Sequence, residues 1–198
     1  MKLVAATGNK DKLLEFSRIL SPLGIDVMSP EDVGITNFDV PETGDTFAEN
    51  AAIKAQEMFR LSGLPSFADD SGLCIDALNG RPGVYSARYL DGFPQEKKNL
   101  AILKELENIT HENRNARFIC NIYCILSSVD TIITEGICEG KIANAPSGDG
   151  GFGYDPIFLY GGKSFASLNS AEKDQASHRG TALRKLVEKL KEFLGENR

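Results

Sequence analysis

Acidic residues at two places in the first half of the chain could hold a divalent cation. Glu42 lies in a loop-like stretch, and Asp69 and Asp70 begin the run Asp-Asp-Ser-Gly. Carboxylates are the usual protein ligands of Mg²⁺, which keeps several waters and is often shared with substrate phosphates. Because successive side chains of a strand point to opposite faces, at most one of Asp69 and Asp70 should face a given site, while the other braces the turn. Simple turn formation is the alternative explanation of this run.

A second set of residues could bind phosphate at a junction between a strand and a helix. Residues 7–12 read Thr-Gly-Asn-Lys-Asp-Lys after a short apolar run. Backbone N–H groups at a helix N-terminus lack partners and carry partial positive charge, which suits an anion. Gly8 permits close approach of the backbone, Asn9 can cap the helix, and Lys10 and Lys12 add positive charge. An ordinary capped helix with solvated lysines would have the same residues.

Two further groups of cations could contact a phosphorylated ligand. Asn50 and Lys54 lie one turn apart on a predicted helix, beside its apolar stripe. A lysine in that place can reach into a cleft, although such side chains more often extend to water. Lys173 precedes the run Ser-His-Arg-Gly at 177–180. That cationic group could hold phosphates or donate to a purine oxygen, although a polar helix start is the better explanation of it taken alone.

The segment 147–156 is rich in glycine and contains two aromatic residues. Gly148, Gly150 and Gly153 match the pattern G-x-G-x-x-G, but a dinucleotide fold is excluded because the segment leads into a strand rather than a helix. Phe152 could stack on a nucleobase, as aromatic side chains do. A flexible loop with a core phenylalanine is the alternative.

The elements that must position these residues alternate between strand and helix, which predicts an α/β fold. Two long adjoining strands suggest an antiparallel hairpin, so the sheet should be mixed rather than purely parallel. Strands are predicted at 2–6, 25–28, 66–68, 73–78, 116–128, 131–143 and 156–160. One helix is predicted directly after Asn9, and others at 46–61, 95–106 and 181–194. The apolar stripe of the first helix consists of Leu13, Leu14, Phe16, Ile19 and Leu20.

Composition narrows the class of protein further. A chain of 198 residues with 41% hydrophobic content suggests a single domain over 1–198. A net charge of -6 disfavours binding to a nucleic acid polymer.

No apolar run is long enough to span a membrane, and the short apolar stretch at the start is unlike an export signal, so a reducing cytoplasmic location is expected. Cys120 and Cys124 should share one face of a strand as buried thiols rather than metal ligands.

Seven motifs taken in order resemble the inosine triphosphate pyrophosphatase family, and most closely its bacterial and archaeal branch. The resemblance extends from Thr7 to Gly180, nearly the whole chain. The motifs are Thr-Gly-Asn with a lysine at 7–12, Glu-Thr-Gly at 42–44, Glu-Asn-Ala with a lysine at 49–54, Ala-Asp-Asp-Ser-Gly-Leu at 68–73, Pro-Gly-Val-Tyr-Ser-Ala-Arg-Tyr at 82–89, Gly-Gly-Phe-Gly-Tyr-Asp-Pro at 150–156, and Ser-His-Arg-Gly at 177–180.

The resemblance implies a fold, an activity and a cofactor. The fold would be α/β, with a long twisted mixed β-sheet flanked by helices and two lobes with a central nucleotide-binding cleft. The activity would be Mg²⁺-dependent hydrolysis of ITP, dITP and XTP at the α–β phosphate bond, giving the monophosphate and pyrophosphate. Members of the family are usually homodimers, so a homodimer is expected.

The resemblance also implies a role for each matching residue. Glu42 and Asp70 would hold Mg²⁺, and Asp70 would be the general base. Many bacterial members have glycine where this chain has Asp11, so we expect Asp11 to use backbone contacts and to point its side chain away. The residues implied to bind substrate are Thr7, Gly8, Asn9, Lys10, Asp11, Lys12, Lys54, Ser71, Phe152, Gly153, Tyr154, Asp155, Lys173, His178 and Arg179.

Three other functions are compatible with parts of this pattern. One is a pyrophosphatase for another modified nucleotide, such as a pyrimidine or a methylated base. Another is a catalytically silent nucleotide sensor, against which the complete set of Glu42, Lys54 and Asp70 argues, because a sensor needs no hydrolytic base. The third is a purely structural α/β domain. The chain has no Walker P-loop, kinase signature or Gly-x-Ser-x-Gly elbow, which excludes the common nucleotide hydrolases.

Overall fold

Seven strands and five α-helices make up the regular structure of residues 1–195, the part of the 198-residue chain that the computed structural model describes. The strands are β1 (Lys2–Ala5), β2 (Asp26–Met28), β3 (Ser66–Ile75), β4 (Asn115–Ile125), β5 (Thr131–Ile142), β6 (Phe158–Tyr160) and β7 (Lys163–Ser164). The helices are α1 (Lys10–Leu20), α2 (Phe47–Ser62), α3 (Gln95–Glu105), α4 (Ser170–Ala176) and α5 (His178–Leu194). Short 3-10 helices connect several of these elements.

The strands form one mixed sheet in the order β2-β1-β3-β4-β5-β6-β7. Strand β1 pairs in parallel with β2 and β3, whereas β6 pairs antiparallel with β5 and β7. Strands β4 and β5 are neighbours, and Leu126 N donates to Asp130 O at 2.9 Å in the short connection between them. The predicted α/β class with a mixed sheet and flanking helices is therefore confirmed. The two lobes with a central cleft stay a prediction.

The chain divides into two compact units, each built from segments that are distant in sequence. Unit 1 contains Met1–Asp70, Cys120–Gly136 and the C-terminal stretch from His178. Unit 2 contains Ser71–Ile119 and Ile137–Ser177. The organisation of the whole chain as one functional domain stays a prediction.

Unit 1 carries helices on both faces of its strands, and the alternation of side chains along β1 shows how. Leu3 and Ala5 pack in a core with residues of α1 and α5, whereas Val4 packs in a second core with residues of α2. Successive side chains of a strand point to opposite faces, so β1 is apolar on both of its faces. The large buried residues of the first core include Phe16, Leu20, Phe67, Ile122, Leu183 and Leu186.

Unit 2 has its own core, which is built around aromatic rings. Phe158 lies 4.7 Å from Phe118 and 4.9 Å from Phe165 between ring centroids. Helix α3 contributes Ile102 to this core, and Tyr154 is also buried in it. Aromatic side chains bury a large apolar area, so this cluster gives unit 2 a rigid base for the glycine-rich segment next to it.

Helix α2 begins and ends at signals that the sequence contains. Thr46 Oγ1 accepts from Glu49 N while the Glu49 side chain accepts from Thr46 N, which is a capping box. Gly63 ends the helix in the left-handed region, with φ 66°. The predicted apolar stripe is confirmed, because its four members Phe47, Ala51, Ala55 and Met58 are all buried.

The predicted break of the third strand at Asp-Asp-Ser-Gly is wrong. Strand β3 runs without interruption from Ser66 to Ile75, and Asp69 and Asp70 lie buried in its middle. These residue types are depleted in strands, and tertiary contacts override that preference here. The reason is charge pairing, since lysine and arginine side chains from three helices contact the two carboxylates. The end of β3 is also earlier than predicted, because residues 76–78 form a 3-10 helix.

Several other boundaries differ from the predictions. Strand β6 begins at Phe158 rather than at residue 156, because Asp155–Ile157 form a 3-10 helix around a proline that has no N–H to donate. Helix α4 and strand β7 were not predicted. The capping box of Asn169 and Glu172 is the signal that could have revealed α4.

Helix α1 differs from its prediction in one position of the apolar stripe. Leu14 is 60% exposed, whereas Glu15 is only 5% exposed. Phe16 and Leu20 are buried as predicted, and Leu13 and Ile19 are partly buried. A glutamate faces the interior because Arg179 pairs with it.

The cysteines are free thiols, and none of the described helices is long and apolar enough to cross a membrane. Cys120 and Cys124 are both buried in the first core of unit 1, as predicted from their spacing on one strand. Burial raises the pKa of Cys124 to about 12, so this thiol stays protonated and unreactive.

Candidate active site

The acidic pair predicted to hold a metal is held together by a lysine in unit 1. Lys54 Nζ lies 2.9 Å from Glu42 Oε1 and 2.8 Å from Asp70 Oδ1. Glu42 is in the loop before α2, Lys54 is in the middle of α2, and Asp70 is in the middle of β3. One ammonium reaches both carboxylates, so a small divalent cation in the same place could also reach both.

Asn50 joins the loop of Glu42 to the strand of Asp70. Its side chain is fully buried. Asn50 Nδ2 donates to Asp70 Oδ2 at 3.4 Å, and Asn50 Oδ1 accepts a hydrogen bond from Gly44 N at 2.8 Å. Gly44 has no room for a side chain, since a Cβ there would lie 2.6 Å from Glu49 Cβ. The loop that carries Glu42 is therefore fastened onto α2 through Asn50.

Electrostatics separates the roles of the groups in this cluster. Burial alone would lower the pKa of Lys54, but Asp70, Asp69 and Glu42 outweigh it and raise that pKa, so the ammonium stays charged. Burial raises the pKa of Asp70 above its ordinary 3.8, with Lys54 opposing and Glu42 adding to the effect. A carboxylate with raised proton affinity is suited to accept a proton from water.

The predicted phosphate loop caps α1 with its own side chains. Thr7 Oγ1 accepts from Asn9 N at 3.1 Å, and Asn9 Oδ1 accepts from Asp11 N at 2.9 Å and from Lys12 N at 3.2 Å. The prediction that Asn9 caps the helix is confirmed. Two amides that could have bound phosphate are occupied by this cap. The side chains of Lys10 and Asp11 are exposed, and the expected orientation of Asp11 away from phosphate stays a prediction.

A buried charge network lies beneath this loop. Asp69 Oδ1 accepts from Lys12 Nζ at 2.8 Å, and Asp69 Oδ2 accepts from Arg179 Nε at 3.1 Å and Nη2 at 2.9 Å. Arg179 Nη1 donates to Glu15 Oε2 at 2.6 Å. Burial alone would raise the pKa of Asp69, but Lys12 and Arg179 outweigh it and hold that pKa well below 3.8. Asp69 is thus ionised throughout the physiological range.

Several of the residues predicted to bind substrate in unit 2 form a cluster around Asp155. Asp155 Oδ2 accepts from Lys173 Nζ at 2.6 Å and from Phe152 N at 2.7 Å. Lys173 Nζ also lies 4.5 Å from the centroid of the Phe152 ring, a cation–π contact. Gly151 adopts φ 69°, and a Cβ there would lie 2.2 Å from Asp155 Oδ2. Only glycine therefore permits this turn around the carboxylate.

Two polar side chains of unit 2 fasten the residues that follow Phe152. Asn99 Nδ2 on α3 donates to Gly153 O at 3.1 Å, and Tyr154 Oη donates to Ser86 O at 2.8 Å. Both tyrosine and asparagine are buried. The half-buried Phe152 ring is therefore carried by a backbone with fixed geometry.

A sequence profile of the Ham1 family matches residues 3–189. The chain belongs to the Ham1 family. The family relationship that the seven motifs indicated is thereby confirmed.

Curated relatives share close to half of their residues with this Ham1 protein. A dITP/XTP pyrophosphatase from Geobacillus kaustophilus is 45% identical over 197 residues, covering 98% of this chain and 96% of the relative. One from Ralstonia nicotianae is 46% identical over 200 residues, covering 97% and 98%. Among solved structures, a HAM1 protein from Coxiella burnetii matches with TM-score 0.86 and 39% identity, covering 97% of this chain and 99% of that one. The Staphylococcus aureus Ham1 protein matches with TM-score 0.84 and 37% identity, covering 96% and 98%.

The predicted site residues of this Ham1 protein fall into two groups. Unit 1 contains residues 7–12, Glu42, Lys54, Asp70, His178 and Arg179, and unit 2 contains Ser71, residues 152–155 and Lys173. His178 and Arg179 lie buried in the first turn of α5 rather than before a helix, and Lys173 lies in α4. The role of each residue towards substrate stays a prediction.

Sequence reasoning missed Glu15, Asn99 and the supporting role of Asn50. A polar residue inside an apolar sequence pattern is the feature that could have indicated these positions. Asn50 adjoins the stripe of α2, and Glu15 lies between Leu14 and Phe16. A buried polar group must be paired, so such positions point to a structured site.

Gly136 fixes the start of α5, and an alanine there should destabilise the protein. A Cβ at Gly136 on β5 would lie 2.0 Å from His178 O and 2.6 Å from Ala182 N. Both contacts are with backbone, so α5 must shift, and Gly136→Ala should lower the free energy of unfolding by about 1–3 kcal/mol. Thermal unfolding checks this, with Gly8→Ala as control because a Cβ at Gly8 meets nothing within 4 Å. Equal melting temperatures for the two variants would contradict the prediction.

Proposed function

We propose that this Ham1 family protein is a nucleoside triphosphate pyrophosphatase. It hydrolyses ITP, dITP and XTP at the α–β phosphate bond and releases the monophosphate and pyrophosphate. The observation that carries the proposal is the cluster of Glu42, Lys54 and Asp70, in which a cation and two carboxylates share one place. The relatives named dITP/XTP pyrophosphatase support the choice of substrate.

We further propose Mg²⁺ as the cofactor, held by Glu42 and Asp70. The donor set fits this ion, because Mg²⁺ is usually bound through one or two carboxylates and completed by water and substrate phosphates. No larger cluster of metal-binding side chains occurs among residues 1–195. When bound, the ion would neutralise phosphate charge and favour departure of pyrophosphate.

Asp70 then accepts the proton of the water that attacks the α-phosphorus. Lys54 keeps its carboxylate oriented, and a cation beside Asp70 would favour the ionised form that a base requires. Lys54 and Lys12 neutralise charge on the triphosphate. Their positions are set by carboxylates before any substrate binds, so little reorganisation is needed in the transition state.

Base selection in this proposal depends on hydrogen-bond polarity. Inosine and xanthine carry an oxygen at position 6, whereas adenine carries an amino group there. Donors from His178 or the backbone would pair with the oxygen and would be left unpaired by adenine, a mismatch that can cost up to about 10⁴-fold in specificity. Arg179 instead donates to Asp69 and Glu15 and supports the site from within unit 1. Phe152 stacks on the base, and Asp155 and Lys173 hold its ring in place.

A substrate panel tests the proposal. The purified protein is incubated with Mg²⁺ and ITP, dITP, XTP, GTP, ATP or dTTP, and the products are separated by chromatography. We expect monophosphate and pyrophosphate from ITP, dITP and XTP, with ATP untouched. Diphosphate and orthophosphate would contradict the proposed bond, and a preference for dTTP would favour a pyrophosphatase of another nucleotide class. If ITP only raised the melting temperature, the protein would be a sensor.

Three further expectations accompany the proposed function. The protein should form a homodimer, act on free nucleotides rather than a nucleic acid polymer, and function in the cytoplasm. They stay predictions that are independent of the chemistry.

A further inference from the structure

Asp69 contacts two cations from two different helices and is itself shielded from water. Its side chain is 0% exposed, that of Arg179 is 3% exposed and that of Lys12 is 17% exposed. Lys12 lies in the first turn of α1 and Arg179 in the first turn of α5. One carboxylate in β3 thus connects the beginnings of two helices in unit 1.

The network pairs buried carboxylates with cations that are buried or partly buried. Asp69 and Glu15 contribute two negative charges, and Lys12 and Arg179 contribute two positive charges. A buried ion pair costs desolvation, and loss of one partner leaves an uncompensated charge. The network therefore constrains each of its members to one geometry.

The two neighbouring aspartates have opposite environments. Both oxygens of Asp69 accept from cations of the protein, Lys12 on one side and Arg179 on the other. Asp70 contacts Lys54 and the neutral amide of Asn50. Environments that separate two carboxyl groups in this way give them different tasks.

We propose that Asp69 is a positioning residue that fixes the Lys12 ammonium for the triphosphate and couples it to α5 through Arg179. Lysine has a flexible stem and three donors, of which Asp69 engages one. With the stem held, the ammonium meets phosphate without losing further rotamer freedom. The proposal rests on the proposed function and adds a residue that acts through Lys12, not on the substrate itself.

The test is a double-mutant cycle of Asp69→Asn and Lys12→Met in the full chain. For ITP hydrolysis, we expect Asp69→Asn to raise KM about tenfold and to lower kcat less than about threefold, because a positioning group affects binding first. In the Lys12→Met background, Asp69→Asn should change KM by less than about twofold, because coupled residues are not additive. An equal effect of Asp69→Asn in both backgrounds would overturn the proposal, as would a loss confined to kcat.

Binding of inorganic tripolyphosphate, measured by calorimetry, separates this proposal from the proposed function. Tripolyphosphate carries no nucleobase, and its binding does not depend on turnover. Asp69→Asn should weaken this binding about tenfold, and only when Lys12 is present. If the wild-type protein fails to hydrolyse ITP but shows this pattern, the pyrophosphatase assignment fails and the role of Asp69 stands. Equal tripolyphosphate affinities of wild type and Asp69→Asn would overturn the role of Asp69.

Two further variants guard against a purely structural effect. Arg179→Lys keeps the charge but loses the two-nitrogen contact with Asp69, so it should weaken tripolyphosphate binding by about threefold, again only when Lys12 is present. If Asp69→Asn does not fold, Arg179→Lys tests the positioning role of Asp69 in its place. Weaker tripolyphosphate binding by Arg179→Lys that persists in the Lys12→Met background would overturn the proposal. Asp26→Asn is the matched control, because Asp26 is an exposed residue of β2. It should bind tripolyphosphate as the wild type does.

Discussion

Replacing Asp70 with asparagine should lower kcat for ITP hydrolysis by about 10³-fold, within the range expected for loss of a general base. Asparagine keeps the size of the side chain but cannot accept the proton of the attacking water. Asn50 and Lys54 remain as neighbours of the altered group. Nucleotide affinity measured without Mg²⁺ should change by less than about threefold, because the lysines proposed to contact phosphate are retained. Single-turnover kinetics and calorimetric binding of ITP measure the two quantities.

Asp26→Asn is the appropriate control for this variant as well, because the same chemical change is made at an exposed residue of unit 1. Its kcat should equal that of the wild type. Near wild-type turnover by Asp70→Asn would exclude Asp70 as the base. Equal loss of turnover and of nucleotide binding would indicate that Asp70 only supports the fold of the site.

Lys54→Met should lower kcat/KM for ITP by about 10²–10³-fold, the usual cost of removing one preorganised donor from a developing charge. Methionine retains the apolar stem within α2 but removes the ammonium that contacts Glu42 and Asp70. The two carboxylates and the triphosphate then lose one of the cations that neutralise them, and Mg²⁺ alone does not replace the lost donor. Steady-state kinetics with ITP at saturating Mg²⁺ gives the value.

The matched control is Lys185→Met, because Lys185 is an exposed residue of α5 that donates to Glu135 O. Its kinetics should be unchanged. If Lys54→Met retained more than about a third of wild-type kcat/KM, electrostatic stabilisation by Lys54 would be excluded. Circular dichroism of both variants checks that α2 and α5 are intact.

Local sequence patterns determined most of the helices and strands and the family. The apolar stripe and the capping residues of α2 are adjacent in sequence, so Thr46 and Glu49 could be recognised without any tertiary contact. Asn9 as the cap of α1 was predictable for the same reason. The seven motifs identified the Ham1 relationship because each keeps its residues within a few positions of one another.

Only the tertiary structure decided the course of β3 and the different partners of Asp69 and Asp70. Arg179 and Asp69 are separated by 110 positions, so no local pattern could show that this arginine pairs with a carboxylate inside a strand. The sequence suggested a turn because unpaired acidic residues are unfavourable in a buried strand. Cations from distant helices remove that penalty, and they also bury Glu15 on a helix face where local periodicity predicts an apolar residue. Pairing of charges across long sequence separations is therefore the part of this site that the fold alone determines.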